Sequence, residues 1–212
     1  MQIFEEISSS LQAGNHDHVA SLTKQAIEQK IEAKQILDNG LIAGMKVVGE
    51  KFKKHQIFLP HVLLAAKAMY AGMELLKPLL IEEDVPTIGK VVIGTVKGDL
   101  HDIGKNLVGI MLKGAGFEVV DLGNDVTPEE FVETATAEKA DAIGMSALLT
   151  TTMTGMKEVI ELLKQNNMRD KIKVIIGGAP ISREFAEEIG ADAYAYDGLN
   201  AVESLKKFME TN

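Results

Sequence analysis

The sequence predicts an α/β protein in which an N-terminal four-helix bundle precedes a doubly wound, parallel sheet of five strands. Two patterns support this fold class. Up to about residue 82, apolar residues recur every three or four positions, as they do along one face of a helix. Beyond residue 90, short apolar runs alternate with amphipathic stretches several helical turns long, which is typical of parallel strands joined by right-handed helical crossovers.

The first part of the chain is expected to hold four helices. The spacing of its apolar residues predicts helices over Ile3–Gln12, Asp17–Lys30, Ala33–Phe52 and Pro60–Leu80. Gly14-Asn15 and the Lys53–Phe58 segment separate them, and Pro60 suits the first turn of a helix, where its missing amide hydrogen is not needed. We therefore expect residues 1–82 to form a small helical bundle.

Residues 83–90 are expected to link this bundle to a second domain, residues 91–212. Asp84, Pro86 and Gly89 interrupt the helical pattern there, as a linker would. Five apolar runs then predict strands over Val91–Val96, Glu118–Leu122, Ala142–Ser146, Val174–Ile176 and Ala193–Tyr196. Because strands that are apolar throughout are buried on both faces, we expect a Rossmann-like sheet covered by helices on both sides.

Composition limits the function. The 22 basic and 31 acidic residues give a formal net charge of −9, which repels phosphate backbones, so nucleic acid is not an expected partner. The absence of cysteine excludes disulfides, thiolate metal sites and cysteine nucleophiles, and it fits a reducing cytoplasm, where we place the protein. No apolar run approaches the length that spans a bilayer, and the N-terminus does not resemble a signal peptide, so we expect no membrane association.

Three loops carry the unusual residues of the second half. They are Lys97–Gly104, Ala147–Thr152 and Gly177–Pro180, and each follows a predicted strand. In an open parallel sheet, ligands bind beyond the carboxyl ends of the strands. These loops therefore predict the position of the functional site.

Asp99 and His101 form the first candidate group. One residue separates them on a non-helical loop, so their side chains project to the same side. A carboxylate that accepts one ring N–H of a histidine leaves the other ring nitrogen available to a metal. The alternative is that Asp99 or Asp102 caps the helix beginning near Ile103, with His101 as a solvated loop residue. These residues alone do not decide between the two.

A conventional zinc site is not expected. Such a site needs three or four converging ligands, whereas the other histidines, His16, His18, His55 and His61, all lie in the helical half. Any metal bound through His101 would therefore have this histidine as a single axial ligand.

The run from Gly94 to Asn106 resembles the cobalamin-binding module of corrinoid proteins from methanol, methylamine and methoxy-aromatic methyltransferase systems, and is similar to that of methionine synthase. The family signature is Asp-x-His-x-x-Gly, Ser-x-Leu and Gly-Gly. Here 41 residues separate Gly104 from Ser146, and 28 separate Leu148 from Gly177, which matches the family in type and spacing. The segments 48–52 and 58–60 resemble the helical cap that precedes the module, so the resemblance covers nearly the whole chain.

The resemblance implies a role for each matching residue. His101 would be the lower axial ligand of cobalt, and Asp99 and Thr152 would complete a catalytic relay with it. The implied contacts with cobalamin, or with a related corrinoid such as methylcobalamin, are Gly98, Leu100, His101, Asp102, Gly104, Ser146, Leu148, Thr150, Gly177, Gly178, Phe52 and Leu59.

Two groups among these contacts have distinct implied tasks. Ser146, Thr150 and the Gly177-Gly178 pair would line a slot for the dimethylbenzimidazole tail, where a missing Cβ leaves room for a ring. The alternative for the glycine pair is an ordinary strand-to-helix turn. Phe52 and Leu59 would shield the upper face of the corrin, and their alternative is core packing of the bundle.

The implied function is that of a corrinoid methyl carrier, the methyl-carrying subunit of a methyltransferase system, cycling between methyl-cobalt(III) and cobalt(I). Its implied partners are a substrate-specific methyltransferase, an acceptor methyltransferase acting on a folate or thiol, and a reductive activase. One alternative is a cobalamin-sensing regulator, which would need a DNA-binding domain. Another is the small subunit of an adenosylcobalamin mutase, in which the helical cap is not expected.

Overall fold

The computed structural model describes residues 2–83 and 87–210, apart from the side chains of Ile81 and Glu82. The chain divides into two compact units, residues 1–86 and 87–212. Residues 84–86, in the middle of the expected linker, lie outside the described residues. Within the described range, no helix is long and apolar enough to cross a membrane.

The first unit is helical, as the sequence predicts. Its elements are α1 (Gln2–Gln12), α2 (His16–Glu28), α3 (Ala33–Ile36), a π-helical turn (Leu37–Ile42), α4 (Ala43–Lys53) and α5 (Leu59–Glu82). Because α3 continues through the π turn into α4, the described residues of this unit form four helical segments. Fully buried side chains such as Ile7, Leu11, Leu41 and Leu76 form its core.

The π turn is the one feature of this unit that the apolar spacing does not predict. It interrupts what the sequence predicts to be one regular helix, and it brings two glycines against α1. A Cβ on Gly40 would lie 3.0 Å from Cγ2 of Ile7, and one on Gly44 would lie 3.1 Å from Cα of Ser8. The two glycines therefore let the third helical segment, α3 through α4, pass close to α1.

The second unit is an open, doubly wound sheet, which confirms the predicted fold class. The strands are β1 (Lys90–Thr95), β2 (Glu118–Asp121), β3 (Ala142–Ser146), β4 (Lys173–Gly177) and β5 (Ala193–Ala195). The helices are α6 (Ile103–Gly114), α7 (Pro128–Ala137), α8 (Gly155–Gln165), α9 (Arg183–Ile189) and α10 (Gly198–Glu210). All strands are parallel, in the order β2-β1-β3-β4-β5.

Two apolar clusters cover the two faces of this sheet. Val92 faces α7, α8 and α9, whereas Val91 and Ile93 face α6 and α10. This alternation is the period of two expected of a strand that is buried on both sides. Lys90, which the sequence places at the end of the linker, is the first residue of β1, and its amide donates to Oδ2 of Asp141 at 2.7 Å.

The strand order reverses at β1. The chain passes from β1 to β2 on one side of β1 and then crosses back to β3 on the other side. In α/β proteins, ligands bind beyond the carboxyl ends of the strands at such a reversal. The register pairs Thr95 with Ser146, and Ser146 with Gly177. The ends of β1, β3 and β4 are therefore level, and the three loops singled out in the sequence start from the same edge.

Candidate functional site

The site is built around the carboxylate of Asp99, which follows β1 and has no exposed surface. Its Oδ1 accepts hydrogen bonds from Nδ1 of His101 at 2.7 Å and from the His101 amide at 3.1 Å. Its Oδ2 accepts from the amides of Leu148 and Leu149 at 2.8 and 3.2 Å, and from Oγ1 of Thr152 at 2.8 Å. One buried carboxylate thus joins the loop after β1 to the loop after β3.

These hydrogen bonds determine the ionisation of Asp99. Burial by itself raises the pKa of this carboxyl. The bonds from the Leu148 amide, from the ring and amide of His101 and from the Thr152 hydroxyl outweigh burial and hold the pKa well below its ordinary value. The group is therefore a carboxylate at neutral pH, and both of its oxygens can only accept hydrogen bonds.

The ionised carboxylate in turn orients His101. A ring nitrogen 2.7 Å from an oxygen that can only accept must carry the proton, so Nδ1–H is the donor. In the neutral imidazole, Nε2 then keeps its lone pair, and the side chain is 52% exposed. Asp99 therefore orients Nε2 of His101 close to the point where the strand order reverses, and this nitrogen could bind a metal.

The structure decides against the capping alternative. Asp102 occupies the position before α6, but its side chain makes no capping hydrogen bond. Asp99 contacts His101 and the loop after β3. His101 is therefore held by Asp99 on an exposed loop, and its use as a metal ligand stays a prediction.

Exposed apolar side chains lie near His101 in the chain and on the loop after β3 that Asp99 contacts. Leu100 is 69% exposed and Ile103 is 71% exposed, and Leu148 and Leu149 are also exposed. Exposed apolar patches of this kind mark binding surfaces, and this one suits a broad apolar ligand. A Cβ on Gly104 would meet nothing within 4 Å, so the packing of this chain does not require glycine there.

The Gly177-Gly178 pair lies beside Ser146 at the same edge. A Cβ on Gly178 would lie 1.8 Å from the Ala147 carbonyl oxygen, and one on Gly177 would lie 2.7 Å from that of Ala195. Gly178 also has a φ of +134°. The edge of the sheet itself therefore requires both glycines, which is a different reason from the passage of a ring that the sequence argument supplied.

Other predicted contacts occupy varied positions. Thr150 is exposed in the loop between β3 and α8, and Gly98 has a left-handed φ of +81°. Phe52 lies in the last turn of α4 and Leu59 begins α5, both in the first unit and both half-buried. Neither is a fully buried core residue, and their part in a cofactor site stays a prediction.

Sequence reasoning missed a buried lysine in the first turn of α6. The ammonium of Lys105 donates to both carboxylate oxygens of Asp121, at 2.6 and 2.7 Å, and to Oδ1 of Asn106 at 2.6 Å. The available signal was its position, because Lys105 lies on the same helical stripe as the buried Gly109 and Leu112.

Thr152→Val should destabilise the cofactor-free protein by about 1 kcal/mol, because it removes one hydrogen bond to a buried carboxylate with little change in shape. Urea unfolding measures this change. Thr152→Ser is the matched control, since it keeps the hydroxyl and should keep most of the stability. A loss in Thr152→Ser without a loss in Thr152→Val would show that the methyl group, not the hydroxyl, stabilises the loop.

The lowered pKa of Asp99 predicts a defined pH dependence. The unfolded carboxyl titrates near pH 3.9, about its ordinary value, whereas the folded one titrates lower, so the unfolded chain binds more protons in acid. The contribution of Asp99 to stability is thus present above pH 5, roughly, and is lost as the pH falls. We expect the stability advantage of the wild type over Asp99→Asn to shrink by roughly 1 kcal/mol between about pH 6 and about pH 3. Urea titrations of both proteins test this, and an advantage that grows in acid would contradict it.

The fold and the site together define a class of protein. Among the described residues, no group of three or more histidine, aspartate or glutamate side chains could hold a metal ion. A single oriented histidine among exposed apolar residues, at the carboxyl ends of parallel strands, could offer one ligand to a metal that belongs to a cofactor.

Comparison with known proteins identifies that cofactor. A B12 binding domain model matches residues 89–206, and a second B12 binding domain model matches residues 3–77. A corrinoid protein of Desulfitobacterium hafniense is 42% identical over 212 residues, covering 99% of this chain and 98% of its own length. The dimethylamine corrinoid protein of Methanosarcina barkeri is 44% identical over 209 residues, covering 98% of each chain.

A solved structure agrees with these relatives. The methanol:cobalamin methyltransferase complex MtaBC from Methanosarcina barkeri contains a chain that is 32% identical, with a TM-score of 0.86, covering all of this chain and 81% of that one. This chain therefore belongs to the family of B12-binding corrinoid proteins of methyltransferase systems, and its cofactor is cobalamin or a related corrinoid.

Proposed function

We propose that this protein is a corrinoid methyl carrier that accepts a methyl group from a substrate-specific methyltransferase and donates it to a second methyltransferase. The observation that carries the proposal is the buried, ionised Asp99, which accepts from Nδ1–H of His101 on an exposed loop, so that Nε2 is the ring nitrogen left for a metal. When bound, the cobalamin supplies the bond-making chemistry by taking a methyl group on cobalt and giving it up.

His101, Asp99 and Thr152 would act together to hold the metal of the cofactor. Nε2 of His101 would hold the metal, while Nδ1–H donates to Asp99. Because the pKa of Asp99 is well below its ordinary value, a second proton on this pair would reside on Nε2 of His101 and not on the carboxylate. The charge of Asp99 stabilises the positive ring that results, and the Thr152 hydroxyl keeps the carboxylate in place.

The remaining predicted contacts would bind the rest of the cofactor. Gly98, Leu100, Asp102, Gly104 and Leu148 lie on the loops beside His101, where exposed apolar and small residues suit the corrin ring. The residues proposed to line the tail slot are Ser146, Thr150, Gly177 and Gly178. Phe52 and Leu59 are proposed to shield the upper face, which is consistent with their partial exposure.

The partners are proposed from the same family. Methyltransferases are the expected partners, as in the MtaBC complex, and the names of the amine-linked relatives make a methylated amine the first donor to test. An acceptor methyltransferase that uses a folate or thiol and a reductive activase would complete the cycle.

Reconstitution with a methyltransferase tests the proposal. The protein is loaded with cobalamin, reduced, and mixed with a dimethylamine or methanol methyltransferase and its donor, while absorbance follows methylation of the cofactor. We expect one methyl group per bound cobalamin. Binding of cobalamin without methylation by any amine, methanol or methoxy-aromatic system would contradict the carrier function. Gel-shift binding to DNA would instead support a regulator, and preference for adenosylcobalamin would support a mutase subunit.

A further inference from the structure

We infer that Asp125, on the loop after β2, is a positioning residue for His101, an inference that rests on the proposed function. The histidine loop, Gly98–His101, is held from two sides. Asp99 anchors it to the loop after β3 through its side chain. Asp125 anchors its backbone to the loop after β2, and that second attachment sets where Nε2 of His101 lies.

Asp125 makes a two-bond contact with the histidine loop. Its Oδ1 accepts from the Gly98 amide at 2.7 Å, and its own amide donates to the Asp99 carbonyl at 3.1 Å. The neighbouring Asn124 adds a third bond from the same loop, because its Nδ2 donates to the Leu100 carbonyl at 3.2 Å.

The rest of the histidine-loop backbone is bonded as well. The Asp99 amide donates to the Val96 carbonyl at 3.1 Å, and the His101 carbonyl accepts from Oγ1 of Thr95 at 2.9 Å. Every residue from 98 to 101 therefore has a backbone hydrogen bond to the protein, although Gly98, Leu100 and His101 are exposed. Exposed loops usually give such groups to water, so this loop is unusually constrained.

The loop after β2, which carries Asp125, is itself held to β1 by backbone hydrogen bonds. The Thr95 amide donates to the Gly123 carbonyl, and the Val126 amide donates to the Thr95 carbonyl, both at 3.0 Å. Asp121, at the end of β2, is held by the buried Lys105. Asp125 lies between these hydrogen-bonded residues and adopts a left-handed φ of +56°. In a residue other than glycine, surrounding contacts must stabilise this conformation.

The two anchors have different effects on the metal ligand. The Asp99 carboxylate fixes the rotation and the proton position of the ring, whereas the Asp125 carboxylate fixes the peptide that precedes Gly98. Gly98 has a φ of +81° and no Cβ, so no side chain of its own restricts its backbone. Without the Asp125 carboxylate, the histidine loop would keep its hydrogen bond to the ring while Nε2 moves over a wider range.

Asp125→Gly and Asp125→Asn separate this role from a merely structural one. Glycine accepts the left-handed φ without strain and removes the acceptor, whereas asparagine tolerates the same φ and keeps an acceptor oxygen. Asn167→Gly is the control, because Asn167 also has a left-handed φ, of +55°, but lies before β4 at the opposite edge of the sheet.

The first readout uses the protein without cofactor. In Asp125→Gly we expect hydrogen exchange of the Gly98 amide to accelerate by about tenfold, the change expected for loss of one hydrogen bond to a charged group. The second readout is the visible spectrum of the methylcobalamin-loaded protein, in which the ratio of histidine-ligated to unligated cofactor should fall by about tenfold. Asp125→Asn and Asn167→Gly should match the wild type in both.

The possible outcomes of these measurements distinguish a failure of the inference about Asp125 from a failure of the proposed function. Unchanged Gly98 exchange in Asp125→Gly would overturn the inference, and so would faster exchange with an unchanged spectrum. An Asp125→Asn variant that behaves like Asp125→Gly would overturn the role of the hydrogen bond. Failure of the wild type to bind or transfer a methyl group would overturn the proposed function, whereas the exchange measurement would still show whether Asp125 holds the histidine loop.

Discussion

Replacing His101 with glycine should leave cobalamin bound to the protein but convert its spectrum from the histidine-ligated to the unligated form. The side chain is half-exposed and supplies one proposed ligand, while the proposed contacts with the corrin ring and its tail come from other loops. Loss of the ligand should also slow methyl transfer by about a hundredfold or more, since changes to the groups that merely orient a ligand already cost about ten- to a hundredfold.

The visible spectrum of the methylcobalamin-loaded variant measures the first effect, and a coupled methyltransferase assay measures the second. Added imidazole should restore the ligated spectrum of His101→Gly, because the glycine leaves space where the ring lay. His16→Ala is a suitable control, since His16 lies in the helical unit, where its ring contacts the exposed carboxylate of its neighbour Asp17. A His101→Gly spectrum identical to the wild type would contradict axial ligation.

Asp99→Asn should destabilise the cofactor-free protein by roughly 3–5 kcal/mol, a loss typical of breaking a buried, fully bonded charged group. An amide has one acceptor oxygen and one NH2 donor, whereas all five groups around Asp99 donate. In either orientation, the NH2 faces at least two of these groups, so at least one backbone donor is left without an acceptor.

The same substitution should change the tautomer of His101. If the asparagine NH2 occupies the position of Oδ1, the ring accepts through Nδ1 and its proton moves to Nε2, where it blocks the metal ligand. Nitrogen NMR of the imidazole shows which atom is protonated, and urea unfolding gives the stability. Asp102→Asn, three residues away and without a capping bond, should change the free energy of unfolding by less than about 0.5 kcal/mol. A similar, small loss in both variants would contradict a central role for Asp99.

The sequence was a good guide to the elements. The predicted strand Ala142–Ser146 agrees with the structure at both ends, and each end of the other four agrees to within one residue. Their short, β-branched runs between amphipathic helices leave few alternatives to parallel pairing. The π turn at Leu37–Ile42 was not predicted, because it depends on the close passage of Gly40 and Gly44 over α1 rather than on apolar spacing.

The sequence could predict those parts of the candidate site whose residues lie close together along the chain. Asp99 and His101 are two positions apart, and a carboxylate beside an imidazole suggests an oriented ligand from the sequence alone. The spacing could not show that the Leu148 and Leu149 amides also bind Asp99, because backbone amides carry no sequence signal. Nor could it identify Asp125, which lies 26 positions from Asp99 and reaches it only through the pairing of neighbouring strand ends.

The sequence by itself determined the fold class, the domain order and the identity of the metal-ligand candidate, because apolar periodicity and short motifs are local properties of the chain. Only the tertiary structure decided that Asp99 is saturated by five donors, that the proton of His101 belongs on Nδ1, and that Gly177 and Gly178 are required by the sheet edge. Those properties depend on which strand ends lie side by side, and the order β2-β1-β3-β4-β5 is set by long-range packing.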